Sequence, residues 1–184
     1  MKTNLNEKIT ENQLIEGCKS GKEVYQEQLY KQFYAYAISI SRLYTYSDDE
    51  AVSILNDSFI KVFSIVTKKE FELKSPFKFY LRKIVINTAI DNYRKNKKHN
   101  VILDIDEIEP TSYTVDVIDN LAYDDIIQLL DKLPEMHRVV FNLYEIQGYK
   151  HNEIAEKLQI SESSSRTFLT RAKKKMRILI NKHF

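Results

Sequence analysis

The chain has 184 residues, 43% hydrophobic and 29% charged, with a formal net charge of +2. That length admits one ordinary domain or two small ones, with enough apolar residues for cores and a normal solvated surface. A single cysteine, Cys18, excludes an intramolecular disulfide framework and a cysteine-based zinc site. No N-terminal apolar run reaches signal-peptide or transmembrane length, so a cytoplasmic location with no membrane partner is expected.

The small net charge hides segregation along the chain. Residues 74–98 carry eight Lys/Arg against one acid, Asp91; residues 101–131 carry nine acids and no base; residues 163–184 carry seven bases and no acid. A partner meets the local field rather than the total, so the two basic blocks mark candidate nucleic-acid surfaces. Only three Gly and three Pro occur, which favours long helices. Pro76 and Pro134 each stand ahead of a long periodic segment, where proline costs little.

Residues 10–45 read as helical, with Leu14, Ile15 and Cys18 followed, past Gly21, by Leu29, Phe33, Ala37 and Ile40. Ser47, Asp48 and Asp49 offer helix-start chemistry. The next helix repeats Ala51, Leu55, Ser58/Phe59, Val62 and Val66 at a 3.6-residue period. A loop over 67–75 leads to Pro76 and a basic helix whose apolar side holds Phe77, Tyr80/Leu81, Ile84/Val85 and Thr88. Residues 99–119 mix β-branched residues with acids in no clear period and read as an acidic linker. The fold expected is all-α, with two small helical domains, 1–98 and 120–184, joined by that linker.

The C-terminal block holds the strongest local signal. A helix containing Ile154, Ala155 and Leu158 meets a tight turn at Gln159, Ile160 and Ser161, and Ser161 is a good N-cap for the next helix. That helix would turn Ser165, Leu169, Ala172, Met176 and Leu179 inward. Ser163, Ser164, Arg166, Thr167, Thr170, Arg171 and Lys174 would point elsewhere, mainly outward. Small hydroxyls let a helix approach DNA closely, and arginine can bond guanine bidentately or pair with phosphate. A solvated basic helix in a bundle is the competing reading of this block alone.

The segment LPEMHRVVFNLYEIQGYKHNEIAEKLQISESSSRTFLTRAKKKMRILI resembles the last domain of extracytoplasmic-function sigma factors of the sigma-70-like family. Upstream, EAVSILNDSFIKVF is similar to that family's polymerase-clamp-binding helix, and FKFYLRKIVINTAIDNYRK to its promoter-melting segment. Phe77, Leu81, Ile84, Asn87, Asp91 and Arg94 match the latter in register, with Tyr80 where tryptophan is usual. Together with the helix around LYKQFYAYA, these three ordered matches extend the resemblance over most of residues 13–98 and 121–180. Departures from the family pattern include Val52 and Ser53 in place of acids, Lys150 in place of a capping serine, and Ser165 in place of an inner valine.

The resemblance implies a sigma factor that binds core RNA polymerase and promoter DNA, with an anti-sigma factor as a third candidate partner. It assigns Glu50, Asn56, Asp57 and Lys61 to core polymerase. Lys74, Lys78, Arg82, Lys83, Asn87, Arg94 and Lys95 go to the minus-ten element, and the outward residues of the last helix to the minus-thirty-five element. For Asn87 and Asp91, helix capping or cross-linking is an equal reading, and Tyr80 reads as core rather than as a stacking platform. The linker would thread the polymerase channels, or serve as a plain tether. No phosphate loop, nucleophile elbow or metal-ligand cluster is present in the sequence, and the four histidines (His99, His137, His151, His183) are scattered. Neither enzyme chemistry nor a cofactor is therefore expected, and a stand-alone helix-turn-helix regulator is the alternative.

Overall fold

A computed structural model describes residues 9–68, 71–99 and 123–183. Among the described residues the regular structure is helical: α1 (Glu11–Lys19), α2 (Glu23–Ser41), α3 (Asp48–Val66), α4 (Phe77–His99), α5 (Tyr123–Leu130), α6 (Glu135–Phe141), α7 (His151–Leu158) and α8 (Glu162–His183). One compact unit is built from the residues up to Ser41 with Asp49–Ala89, a second from Arg42–Asp48 with the residues from Ile90 onward. The division falls inside α4, whereas the functional segment expected from the sequence runs on to residue 98. Of the expected linker, His99 closes α4, and the rest lies outside the described residues.

In the first unit, α1 starts on a reciprocal cap. The Gln13 N–H donates to Thr10 Oγ1 (3.3 Å), while the Thr10 N–H donates to Gln13 Oε1 (2.8 Å), so two helix-end donors are satisfied. The helical stretch expected over 10–45 is two helices, broken at Gly21, whose φ of 70° suits glycine. The apolar positions read from the sequence, Leu14, Ile15, Cys18, Leu29, Phe33, Ala37 and Ile40, are all buried. Those of α3 are buried as well, with Ile54 added. Phe77, fully buried, sets its ring edge-on to Phe33 at 4.8 Å, and its N–H is received by Glu11 Oε1 at 2.6 Å.

In the second unit α8 packs against α6 and α7, burying Val139, Val140, Leu143, Ile154, Leu158, Leu169, Ala172, Met176 and Ile180. α6 follows Pro134 directly and runs on into a π-helical turn, Asn142–Ile146. Gly148, at φ 75°, ends that run. Its first residue, Asn142, is fully buried and donates its amide to the Leu43 carbonyl. Arg138 is also fully buried: Nε donates to the Leu43 carbonyl (2.9 Å), and one terminal nitrogen to the Arg42 carbonyl (2.6 Å). The other terminal nitrogen pairs with Asp131 (2.5 Å), and the guanidinium lies over the Tyr46 ring at 4.8 Å. A buried cation is tolerated only when its donors are met this fully. No sequence pattern marked Arg138, because two of its three hydrogen-bond partners, the Arg42 and Leu43 carbonyls, lie far away in the chain.

Candidate nucleic-acid interfaces

The α7–turn–α8 unit is built from local rules. The Lys150 N–H donates to Glu153 Oε2 at 2.7 Å, so one half of a capping box survives without a capping serine. Gln159 takes the left-handed conformation (φ 55°), and the Ile160 N–H returns to the Ala155 carbonyl (3.1 Å), closing α7. Ser161 then caps α8 as the sequence predicts: its Oγ accepts from the Ser164 N–H at 3.0 Å.

Burial along α8 separates the two faces. Ser165, Leu169, Ala172 and Met176 are buried as expected, but the last inner position is Ile180 rather than the half-buried Leu179. Straight α-helical geometry favours a further step of four over the step of three that the sequence reading used. Ser163, Arg166, Thr167 and Thr170 are exposed; Ser164, Arg171 and Lys174 are half-buried. Thr167 and Thr170 return their hydroxyls to the carbonyls of Ser163 and Arg166. Arg166 is paired with Glu162 one turn back, an exposed pair worth little in water and readily exchanged. Arg171 Nε is shielded from solvent without a hydrogen-bond partner among the described residues.

Ser165 has a polar reason to be inside. Its Oγ lies 2.9 Å from His151 Nδ1, and Tyr144 stacks on the same imidazole at 4.5 Å. Burial, with the nearby Arg166 and Lys173 cations only partly offset by Glu162, holds His151 below the ordinary histidine range. A neutral imidazole thus bridges the two helices of the motif. Lys173 adds an ion pair to Glu145 at 2.7 Å.

Residues 123–176 match the family model described as Sigma-70, region 4. RNA polymerase sigma factor SigV of Bacillus subtilis (strain 168) is 32% identical over 154 residues, 83% of this chain and 86% of that protein. The chain belongs to the sigma factors of RNA polymerase. It falls in their extracytoplasmic-function group. A second relative, RNA polymerase sigma factor SigZ of the same strain, is 30% identical over 105 residues, 55% of this chain and 57% of that protein. Among solved structures, the sigma factor RpoE of Bartonella quintana, crystallised with the anti-sigma factor NepR, is 18% identical. The match covers 84% of this chain and 96% of that one, with a TM-score of 0.48.

The other candidate residues of this sigma factor lie on α3, α4 and the loop before α4. Lys74, Lys78, Lys83 and Asn87 are exposed in the first unit and Arg82 is half-buried. Arg94 and Lys95 fall in the second unit. There Lys95 is exposed, while Arg94 is half-buried and donates to the Glu156 carbonyl at 3.3 Å. α4 therefore divides the expected basic block between two units. Tyr80 is half-buried against Phe71 (5.3 Å) and Phe77 (6.2 Å).

On α3, Asp57 and Asn56 are exposed, Asn56 accepting from the Tyr30 hydroxyl at 2.9 Å. Glu50 and Lys61 are half-buried, and Lys61 donates to Thr88 Oγ1 at 3.1 Å, so it serves α3–α4 packing in the first unit. On α3 and α4 two exposed apolar side chains escaped the sequence reading, Ile60 (66% exposed) and Phe79 (46%). Both were hidden by periodicity that asks only which residues face inward.

Proposed function

We propose that this sigma factor binds core RNA polymerase and directs promoter recognition, melting and transcription initiation from the cytoplasm. Residues 1–98 would bind core enzyme and act at the minus-ten element, 99–119 would link, and 120–184 would read the minus-thirty-five element. The single observation that carries this reading is the two-faced α8. Its inner face is packed, its start is capped by Ser161, and its outer face presents Ser163, Arg166, Thr167 and Thr170 with no acid beyond Glu162. A helix of that kind enters a major groove with its first turns against base edges and its later cations near phosphates.

Melting is assigned to Lys74, Lys78, Arg82, Lys83 and Asn87, with Arg94 and Lys95 further along α4. Cations there hold the backbone, and capture of unstacked bases draws the duplex open. Asn56 and Asp57, with Glu50 and Lys61 beside them, are assigned to core polymerase, and an anti-sigma factor would compete for these surfaces. The experiment is permanganate footprinting of promoter DNA with core polymerase, with and without this chain. Reactive thymines that depend on the chain are expected. A regulator that only binds duplex DNA would leave thymine reactivity unchanged while protecting the site.

A further inference from the structure

We propose that the His151–Ser165 hydrogen bond is a positioning device for promoter reading: it holds the first turns of α8 at the rotation that aims their outer face, and base preference weakens when His151 takes a proton. The proposal rests on the reading role given above to α8. From 161 to 168, the stretch that carries Ser163, Ser164, Arg166 and Thr167, Ser165 is the only buried residue. The buried apolar positions of α8 begin further on, at Leu169. The buried tie between this exposed start and α7 is therefore polar, a 2.9 Å contact from Ser165 Oγ to His151 Nδ1.

The direction of that bond follows from burial. Ser165 is 0% exposed, and a buried hydroxyl proton needs an acceptor. Nδ1 is the one the structure gives it, which fixes the neutral tautomer with its hydrogen on Nε2. A proton taken up at Nδ1 turns the acceptor into a donor and leaves the Ser165 hydroxyl proton buried without one. The surroundings hold the ring neutral: burial first, then the Arg166 and Lys173 cations of α8, with Glu162 offsetting part of their effect. From the π-helical turn Tyr144 covers the imidazole at 4.5 Å, while Glu145 is engaged by Lys173 at 2.7 Å. On α7 itself, Glu153 is engaged by the Lys150 N–H. Arg166, the candidate base reader, follows Ser165 directly and repels the charged ring, so both consequences of the proton fall on the reading face.

The test uses holoenzyme assembled from full-length chain and core polymerase, at constant ionic strength from pH 7.5 to 5.5. The readout is the ratio of affinities for duplex with the preferred minus-thirty-five sequence and for its single-base variants. Effects of pH on core polymerase or on general phosphate attraction cancel in that ratio. For the native chain the ratio should fall about fivefold towards pH 5.5, the lower end of what one base contact contributes. Ser165→Ala removes the hydroxyl that needs an acceptor and should lose most of this pH dependence. His151→Gln, whose amide oxygen can accept in place of Nδ1, should lose it as well. His151→Lys, charged throughout, should hold the ratio low at pH 7.5; if circular dichroism shows that it does not fold, the other two variants decide. A native ratio that is flat with pH overturns the proposal, as does a dependence of equal size in Ser165→Ala. A strong preference that no pH or variant changes removes only the positioning role, whereas no base preference at any pH removes the reading role of α8 together with it.

Discussion

Gly17 marks a close helix–helix approach in the first unit. A Cβ there would lie 2.1 Å from Cγ of Tyr25, so the α1–α2 approach requires a bare backbone. Gly17→Ala should cost about 1–3 kcal/mol of stability, as overpacking does, and pairing it with Tyr25→Ala should recover part of the loss. Urea unfolding of the four chains of that cycle checks it, and additive losses would contradict the close approach.

His151 supplies a pH test at the same scale. Its folded-state pKa is lowered, so the fold favours the neutral ring. The stability it contributes is present above the ordinary histidine value. It is lost as pH falls from there towards the lowered folded value, because the unfolded chain binds the proton first. The urea midpoint should therefore drop less from pH 7.5 to 5.5 in His151→Gln than in the native chain, and parallel curves would rule the coupling out. The Ser161 cap was legible in the sequence because capping is local. The His151–Ser165 bridge was not, since it joins residues 14 apart that meet only once two helices pack.

At the scale of elements, α8 gives a two-part prediction. Arg166 and Arg171 are five residues apart, about 140° around a helix, so one groove centre cannot take both. Arg166 is exposed in the N-terminal half and paired with Glu162, and the proposed function has it exchange that carboxylate for a base edge. Arg166→Ala should cost about 1–3 kcal/mol on the preferred minus-thirty-five sequence and relax preference at one base. Half-buried Arg171, changed to Ala, should weaken all sequences alike and lower the salt slope by about one unit. Holoenzyme binding across single-base variants at several salt concentrations reads both effects. If base preference survives Arg166→Ala, Arg166 is not a reader.

On α3 the informative change is Asp57→Lys, because Asp57 is exposed whereas Lys61 is tied to Thr88. Weaker association with core polymerase and unchanged circular dichroism are expected; equal affinity would remove Asp57 from that interface. The inner faces of α1–α3 were readable from periodicity, Ile54 apart; on α4 it found Phe77, Leu81, Val85 and Thr88 but not the buried Ile86, Ala89 and Ile90. The π-helical turn after α6 was not readable, because it arises at a buried amide, Asn142, whose partner is the Leu43 carbonyl. Exposed Ile60 and Phe79 were missed for the converse reason: a pattern that finds the core says nothing about an apolar residue left outside it.

For the molecule as a whole, charge segregation and motif order carried the sigma-factor reading, and the relationship to SigV accords with it. The two compact units cut across the expected limits because Arg42–Asp48 packs with the C-terminal half of the chain, through Arg138 and Asn142. Composition could not indicate this. Arg138→Ala would leave the Arg42 and Leu43 carbonyls without that donor and should cost about 3 kcal/mol; a loss below about 1 kcal/mol in urea unfolding would mean that water replaces the guanidinium at little cost.

The proposed function is to confer promoter-specific initiation on RNA polymerase. Run-off transcription from a library of promoter fragments, with purified core enzyme and the full-length chain, tests it most directly. Transcripts should appear only when both are present, start at discrete sites that share two upstream elements, and fall away with Arg166→Ala on the preferred sequence. Transcription equal with and without the chain would contradict the claim, even if the chain bound the same DNA.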